Sequence, residues 1–266
     1  QEVDIENIVK PITKFSITVR DSSKIRKIMN KAVFLAKSGR CGPVWIDIPL
    51  DIQSSKLKFK KNSIYKIKEK KINNKINYNK IYEIIKKSNN PVLLIGHGVR
   101  LSGAQKELSK LLTKFEIPFV STWNSIDLFD YKNKLNFGSP GVVARRYSNI
   151  IIQKSDLLLS IGSSVNNIIT AFNPENFAYK AKKILVDNDK SQLRNCKVKN
   201  AIKIKIDAKI FLKNLNKFLE NKNKLKFDKW IAECKQLKNI FENEIYNKTK
   251  KQKKIDHYFL TKRLSD

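Results

Sequence analysis

An α/β fold, a doubly wound parallel sheet flanked by pieces of neighbouring α/β domains, is what this sequence predicts, and three observations carry the prediction. From residue 80 onward, short apolar runs alternate with segments of helical periodicity, as successive β and α elements do. The runs are continuously apolar, as in Pro91-Val92-Leu93-Leu94-Ile95 and Leu157-Leu158-Leu159-Ser160-Ile161, which suits strands covered on both faces. Gly96-His97-Gly98 and Gly162-Ser163-Ser164 end those two runs with the small residues that tight turns take.

The pattern predicts strands at 91–95, 117–121, 156–161, 183–187 and 202–206. Helices fit between and after them at 80–88, 103–115, 145–154, 190–195 and 208–219, giving one sheet domain over 80–220. Upstream, Asp21 or Ser22 caps a helix whose Ile25, Ile28, Met29, Ala32, Leu35 and Ala36 share a face, with Gly39 at its left-handed end. Val44 to Ile48 then reads as a buried strand stopped by Pro49. One helix and one strand do not close a core, so residues 1–53 are expected to be the tail of an α/β domain whose partner strands precede residue 1. Residues 54–79, rich in Lys and Asn, suit a linker. Residues 221–266 are expected to be a charged linker and the start of a further domain, with Trp230, Ile231, Cys234, Leu237 and Phe241 on one helical stripe. Both ends look cut, as in the middle piece of a longer protein.

Composition narrows the function classes. The 266 residues carry 55 Lys+Arg against 24 Asp+Glu, a net charge of +31, with 41% hydrophobic residues, enough for a core. At ~150 residues per domain the length predicts roughly two domains. Lysines are scattered along the whole chain among Asn and Ile, as in Lys66-Ile67-Lys68, so solvated faces explain the charge better than a specific nucleic-acid surface does. No apolar run approaches the ~20 residues that cross a bilayer, and no leader-like segment is seen, so a cytoplasmic location without a membrane role is expected. Cys41, Cys196 and Cys234 are odd in number and far apart, and His97 and His257 are the only histidines, which sets disulfide and zinc chemistry aside.

In an open parallel sheet, ligands sit outside the carboxyl ends of the strands. Those ends read Gly96-His97-Gly98, Ser121-Thr122-Trp123, Gly162-Ser163-Ser164 and Asp187-Asn188-Asp189. Small residues let a backbone approach a phosphate, a following helix amino terminus favours its charge, and Asp187 suits ribose hydroxyls. The same residues also serve plain tight turns. His97 reads either as a ligand or general base or as loop packing, and Trp123 either as a stacking platform or as a domain-interface aromatic. The spacing Gly96-x-Gly98, with the next glycine at Gly103 and no acid after the second strand, departs from the NAD fingerprint, and no P-loop is present.

Gln1-Glu2-Val3-Asp4-Ile5, Lys10-Pro11-Ile12-Thr13-Lys14 and the block from Ser38 through Gly39-Arg40-Cys41-Gly42-Pro43-Val44-Trp45-Ile46-Asp47-Ile48-Pro49 resemble the end of the pyrimidine-binding domain of thiamine-diphosphate enzymes of the acetolactate (acetohydroxyacid) synthase large-subunit type. Pro91 to Gly98 and Ser155 to Gly162 resemble that family's Rossmann-like central domain. The resemblance implies an enzyme of branched-chain amino acid biosynthesis that uses thiamine diphosphate and Mg2+. It decarboxylates a 2-oxo acid (pyruvate), transfers the two-carbon unit to a second 2-oxo acid, and works as a homodimer or tetramer. It implies that the catalytic glutamate and a Gly-Asp-Gly…Asn motif lie outside this segment, which would be inactive alone, and that Gln1 lies near the active site. It also implies a structural FAD in the central domain, with Arg40, Gly96, Gly98, Thr122, Trp123, Gly162 and Asp187 at flavin-contacting positions; the strand ends add His97, Ser163 and Asn188 as cofactor-binding candidates.

Three positions depart from that pattern. The family's Gly-Ala-Arg-x-Asp-x-Arg is here Gly162-Ser163-Ser164-Val165-Asn166-Asn167-Ile168, its Gly-Met-His-Gly is Gly141-Val142-Val143-Ala144, and its lysine after the proline is Leu50. Both lost arginines would pair with diphosphate oxygens. Flavin binding therefore stays open, as do a sister thiamine-diphosphate carboligase or decarboxylase and a non-catalytic nucleotide-binding module.

Overall fold

The computed structural model describes residues 3–56, 76–250 and 257–265. The chain divides into two compact units, residues 1–73 and 74–266.

In the first unit, α1 (Ile5–Val9) starts where the Asp4 carboxylate accepts the Asn7 N–H at 3.1 Å. A 3-10 turn leads to β1 (Ser16–Thr18), and a second 3-10 turn leads to α2 (Ile25–Lys37). Asp21 caps that entry, accepting from Ser23 N at 3.0 Å and Ser23 Oγ at 2.7 Å; with Lys24 these bonds hold its pKa down to about 2. Gly39 takes φ +57°, the left-handed turn expected after the helix. β2 (Trp45–Asp47) and α3 (Leu50–Ser54) follow.

The expectation that β2 finds its partners only before residue 1 is corrected here. β1 pairs with it in parallel, Ser16 opposite Trp45 and Thr18 opposite Asp47. Phe15, Ile17 and Val19 alternate with Ser16 and Thr18, a period-two signal in a strand too short to stand out. Nor is β2 fully buried: Trp45 is exposed, while Ile46 and Asp47 are half-buried. The linker expected over 54–79 falls mostly on residues outside those described, and α4 already begins at Tyr78.

The second unit contains α4 (Tyr78–Lys86), β3 (Pro91–Ile95), α5 (Gly98–Leu101), α6 (Gln105–Lys114), β4 (Phe115–Glu116), β5 (Phe119–Ser121), α7 (Arg146–Lys154), β6 (Leu157–Ile161), β7 (Lys182–Asp187), α8 (Lys190–Asn195), β8 (Ala201–Lys205) and α9 (Ala208–Leu219). Five strands form a wholly parallel sheet in the order β5-β3-β6-β7-β8, so the chain steps to one side of β3 and then crosses to the other. That reversal places the topological switch point between β3 and β6.

Strand side chains alternate between two cores. Leu93, Ile95, Leu159, Ile161, Ile184 and Val186 pack with α4, α6 and α9, where Ile85, Leu108, Phe211 and Leu215 are fully buried. Val92, Leu94, Leu158 and Leu185 face the opposite layer with Tyr147, Ile151 and Ile152 of α7. Both strand faces are thus covered, which is why the runs are continuously apolar.

After α9 comes β9 (Leu225–Lys226), which pairs in parallel with β4. α10 (Asp228–Lys250) then returns to the sheet domain: Trp230 is buried and donates its indole N–H to Pro91 O at 3.0 Å, and Cys234 is buried beside it. Burial pushes the Cys234 thiol well above its ordinary range. α11 (His257–Ser265) follows. Among the described residues, no helix is long and apolar enough to cross a membrane.

Candidate functional site

The carboxyl ends of β3 and β6 meet backbone to backbone at the switch point. Gly96 N–H donates to Ile161 O at 2.9 Å, Gly98 N–H to Gly162 O at 2.9 Å, and Gly162 N–H to Val186 O at 2.8 Å. A Cβ on Gly96 would stand 2.1 Å from Gly162 O, and one on Gly162, at φ +65°, would stand 2.8 Å from Gly98 Cα. The small residues expected to admit a phosphate are thus used by the fold to let two loops touch. The four-residue α5 begins at Gly98, the helix expected over 103–115 is α6, and β6 runs into an irregular loop.

The remaining predicted residues of this unit surround that contact. His97 is half-buried, and its Nδ1 lies 2.8 Å from Asn124 O, tying the loop after β3 to the loop after β5. Thr122 Oγ1 is 2.9 Å from Ser125 Oγ, which also donates to Ile95 O at 2.9 Å. Trp123 is 46% exposed, with its indole N–H on Val143 O at 3.2 Å. Ser163 is buried, and its Oγ accepts from Val165 N at 3.3 Å; Val165 takes φ +44°, a left-handed backbone that β-branched residues avoid. Asp187 is buried, with Oδ1 accepting from Asp189 N at 2.8 Å; Asn188 between them is half-buried. Asp189 in turn caps α8, accepting from Ser191 N at 2.8 Å.

The segment around Gly141 to Ala144, noted in the sequence only as a departure from the resembled pattern, also joins this end of the sheet. Residues 139–144 rim the site: Val142 N donates to Ile168 O at 3.0 Å, and Val143 O receives Trp123. Asn149 of α7 holds this loop at both poles of one residue, accepting from Gly141 N at 2.8 Å and donating to Gly141 O at 2.9 Å. Trp123, Val142, Val143 and Ile168 leave this rim apolar and exposed.

Two of the arginines nearby are engaged elsewhere. Arg100 pairs with Asp127. The Arg146 guanidinium lies 5.3 Å from the centre of the Phe241 ring. Arg145 lies beside Tyr131 and Tyr147, whose hydroxyls donate to Glu242 Oε1 at 3.3 and 3.4 Å. Burial first and the Glu242 charge second push the Tyr147 phenol far above its usual range. A separate cleft of about 520 Å3 runs along α7 and includes none of the predicted residues.

Arg40 belongs to the first unit, where its carbonyl accepts from Lys14 Nζ at 2.8 Å. Gln1 lies outside the described residues. Among the described residues, no cluster of His, Cys, Asp and Glu is placed to hold a metal ion.

With this fold and crevice, the chain belongs to the thiamine pyrophosphate enzymes: the family profile for the central domain of those enzymes matches residues 78–215, from the start of α4 into α9. Similarity extends beyond that domain. The chain is 32% identical over 254 residues to a "Probable acetolactate synthase large subunit" of Methanococcus aeolicus, covering 90% of this chain and 42% of that protein. It is 32% identical to "Acetolactate synthase 2, chloroplastic" of Nicotiana tabacum over 88% of this chain and 36% of that one. It is 28% identical to "Acetolactate synthase large subunit" of Lactococcus lactis over 87% and 40%. The chain therefore spans about two fifths of the length of these relatives.

Proposed function

We propose that this chain is the middle part of a thiamine-diphosphate-dependent, acetolactate synthase-like enzyme that decarboxylates pyruvate and passes the two-carbon unit to a second 2-oxo acid. The observation that carries the reading is similarity over 90% of the chain, on both sides of the central domain, to a protein named as an acetolactate synthase large subunit. Residues 1–53 are read as the end of the pyrimidine-binding domain, 80–220 as the central domain, and the chain from 221 as the way into the diphosphate-binding domain. When bound, thiamine diphosphate supplies an acceptor for the electron pair left as carbon dioxide departs. Among the described residues no cluster of His, Cys, Asp and Glu is placed to hold Mg2+, and the reading assigns the cofactor and its Mg2+ to other parts of the full-length protein, with Gln1 near them. The protein works in the cytoplasm as a homodimer or tetramer.

A second reading, a sister thiamine-diphosphate carboligase or decarboxylase, is favoured by Ser164 and Ile168 where the resemblance calls for arginines. The test is to supply the full-length protein with thiamine diphosphate, Mg2+ and pyruvate, measuring carbon dioxide and acetolactate. Both products are expected, and residues 1–266 alone should release neither. Carbon dioxide without acetolactate selects the decarboxylase reading, and neither product from the full-length protein overturns the proposal.

A further inference from the structure

The sheet's switch point is where a dinucleotide would lie in this architecture, and the family resemblance implies FAD in that crevice. We propose that this protein's central domain does not hold a flavin dinucleotide, because the loops at the switch point close on each other and the loop after β6 carries no cation to pair with its diphosphate. The inference rests on the thiamine-diphosphate reading only in its choice of ligand; the geometry stands by itself.

A bound diphosphate needs N–H donors or cations that are not otherwise occupied. The amides of Gly96, Gly98 and Gly162 are spent on Ile161 O, Gly162 O and Val186 O, and the Thr122 amide on Ile95 O. In the loop after β6, Ser163 Oγ takes the Val165 amide, and Asn166 Oδ1 takes the amides of Ile168 and Ile169 at 3.1 and 3.2 Å. This loop carries no charge from Gly162 to Ile168, and Ser164 and Ile168 stand where arginines would reach the phosphates. At the end of β7, Asp187 and Asp189 add carboxylates, both drawn into turn and cap bonds, which disfavour a diphosphate. Of the flanking arginines, Arg100 pairs with Asp127 and Arg146 lies over the Phe241 ring. Glycines here serve loop contact, since any Cβ at Gly96 or Gly162 would collide with the facing loop.

The test uses the full-length protein and FAD itself. Wild-type protein incubated with excess FAD should pass through gel filtration without visible flavin absorbance, with Kd weaker than about 1 mM by calorimetry. Ser164→Arg/Ile168→Arg should gain affinity at least about tenfold, one bidentate arginine being ample for that. If the double variant fails to fold, Ile168→Arg alone, at an exposed position, reads the same gain. Wild-type protein that retains flavin near one per chain overturns the proposal. Arginine variants that gain nothing overturn the missing charge as its cause. Flavin is read by absorbance and not by pyruvate turnover, so this outcome is separable from that of the proposed activity.

Discussion

Gly96 shows how one atom constrains the site. Its Cβ would stand 2.1 Å from Gly162 O, so Gly96→Ala must separate β3 from the loop after β6. The variant is expected to lose about 3 kcal/mol, the upper range for forced overpacking, read from a urea midpoint. Lys183 is the opposite case. Its side chain is fully buried on β7, and Nζ donates to Ala181 O at 3.1 Å. Desolvation lowers its pKa, so between that lowered value and the ordinary ~10.4 the unfolded chain binds more protons and stability rises with pH. Lys183→Met keeps the stem and drops the charge; it should raise stability by about 1–2 kcal/mol and flatten that alkaline rise, measured as melting temperature against pH. Sequence could not disclose either role. Gly96 looked like a ligand glycine, and Lys183 looked like one more lysine in a lysine-rich chain.

At the scale of elements, α10 is the informative case. Its stripe of Trp230, Ile231 and Cys234 was legible as an amphipathic helix, but the partner was not, because periodicity identifies an apolar face without saying what covers it. The structure lays that face on the sheet domain, with Trp230 hydrogen-bonded to Pro91 O. Trp230→Ala should therefore cost about 3–5 kcal/mol and lower the urea midpoint of the whole domain, whereas an undocked helix would make the substitution nearly silent. Farther along, Glu242 of α10 receives the hydroxyls of Tyr131 and Tyr147, which flank the loop carrying Val143 to Trp123. Because the folded chain holds the Tyr147 proton above the ordinary pKa, stability should fall as pH rises beyond about 10. Tyr147→Phe should remove part of that fall, and a spectrophotometric titration of the wild type should leave this phenol protonated until unfolding.

For the whole molecule, the charge of +31 is the dominant solution property. It is spread along the chain and lies on no single recognition element, so adsorption to heparin or mixed-sequence DNA should be strong at low salt and lost near ~0.15 M salt, without sequence preference. A column elution profile against salt checks this; retention above that ionic strength would indicate a concentrated basic surface instead.

The sheet domain was legible because its information is local. Apolar runs such as Leu157-Leu158-Leu159 and turn residues such as Gly162 each declare an element within a few positions, and alternation of β and α dictates a parallel sheet. The family, too, was carried by contiguous blocks, Gly39 to Pro49 and Pro91 to Gly98. What tertiary structure alone decided was which groups are already spent. Whether the Gly96 amide faces a ligand or Ile161 O, and whether Arg146 is available or lies over Phe241, depends on residues tens of positions away. Hydrogen bonds and charges are satisfied in space, so the sequence by itself named the candidate site residues and only the fold showed which of them have capacity left.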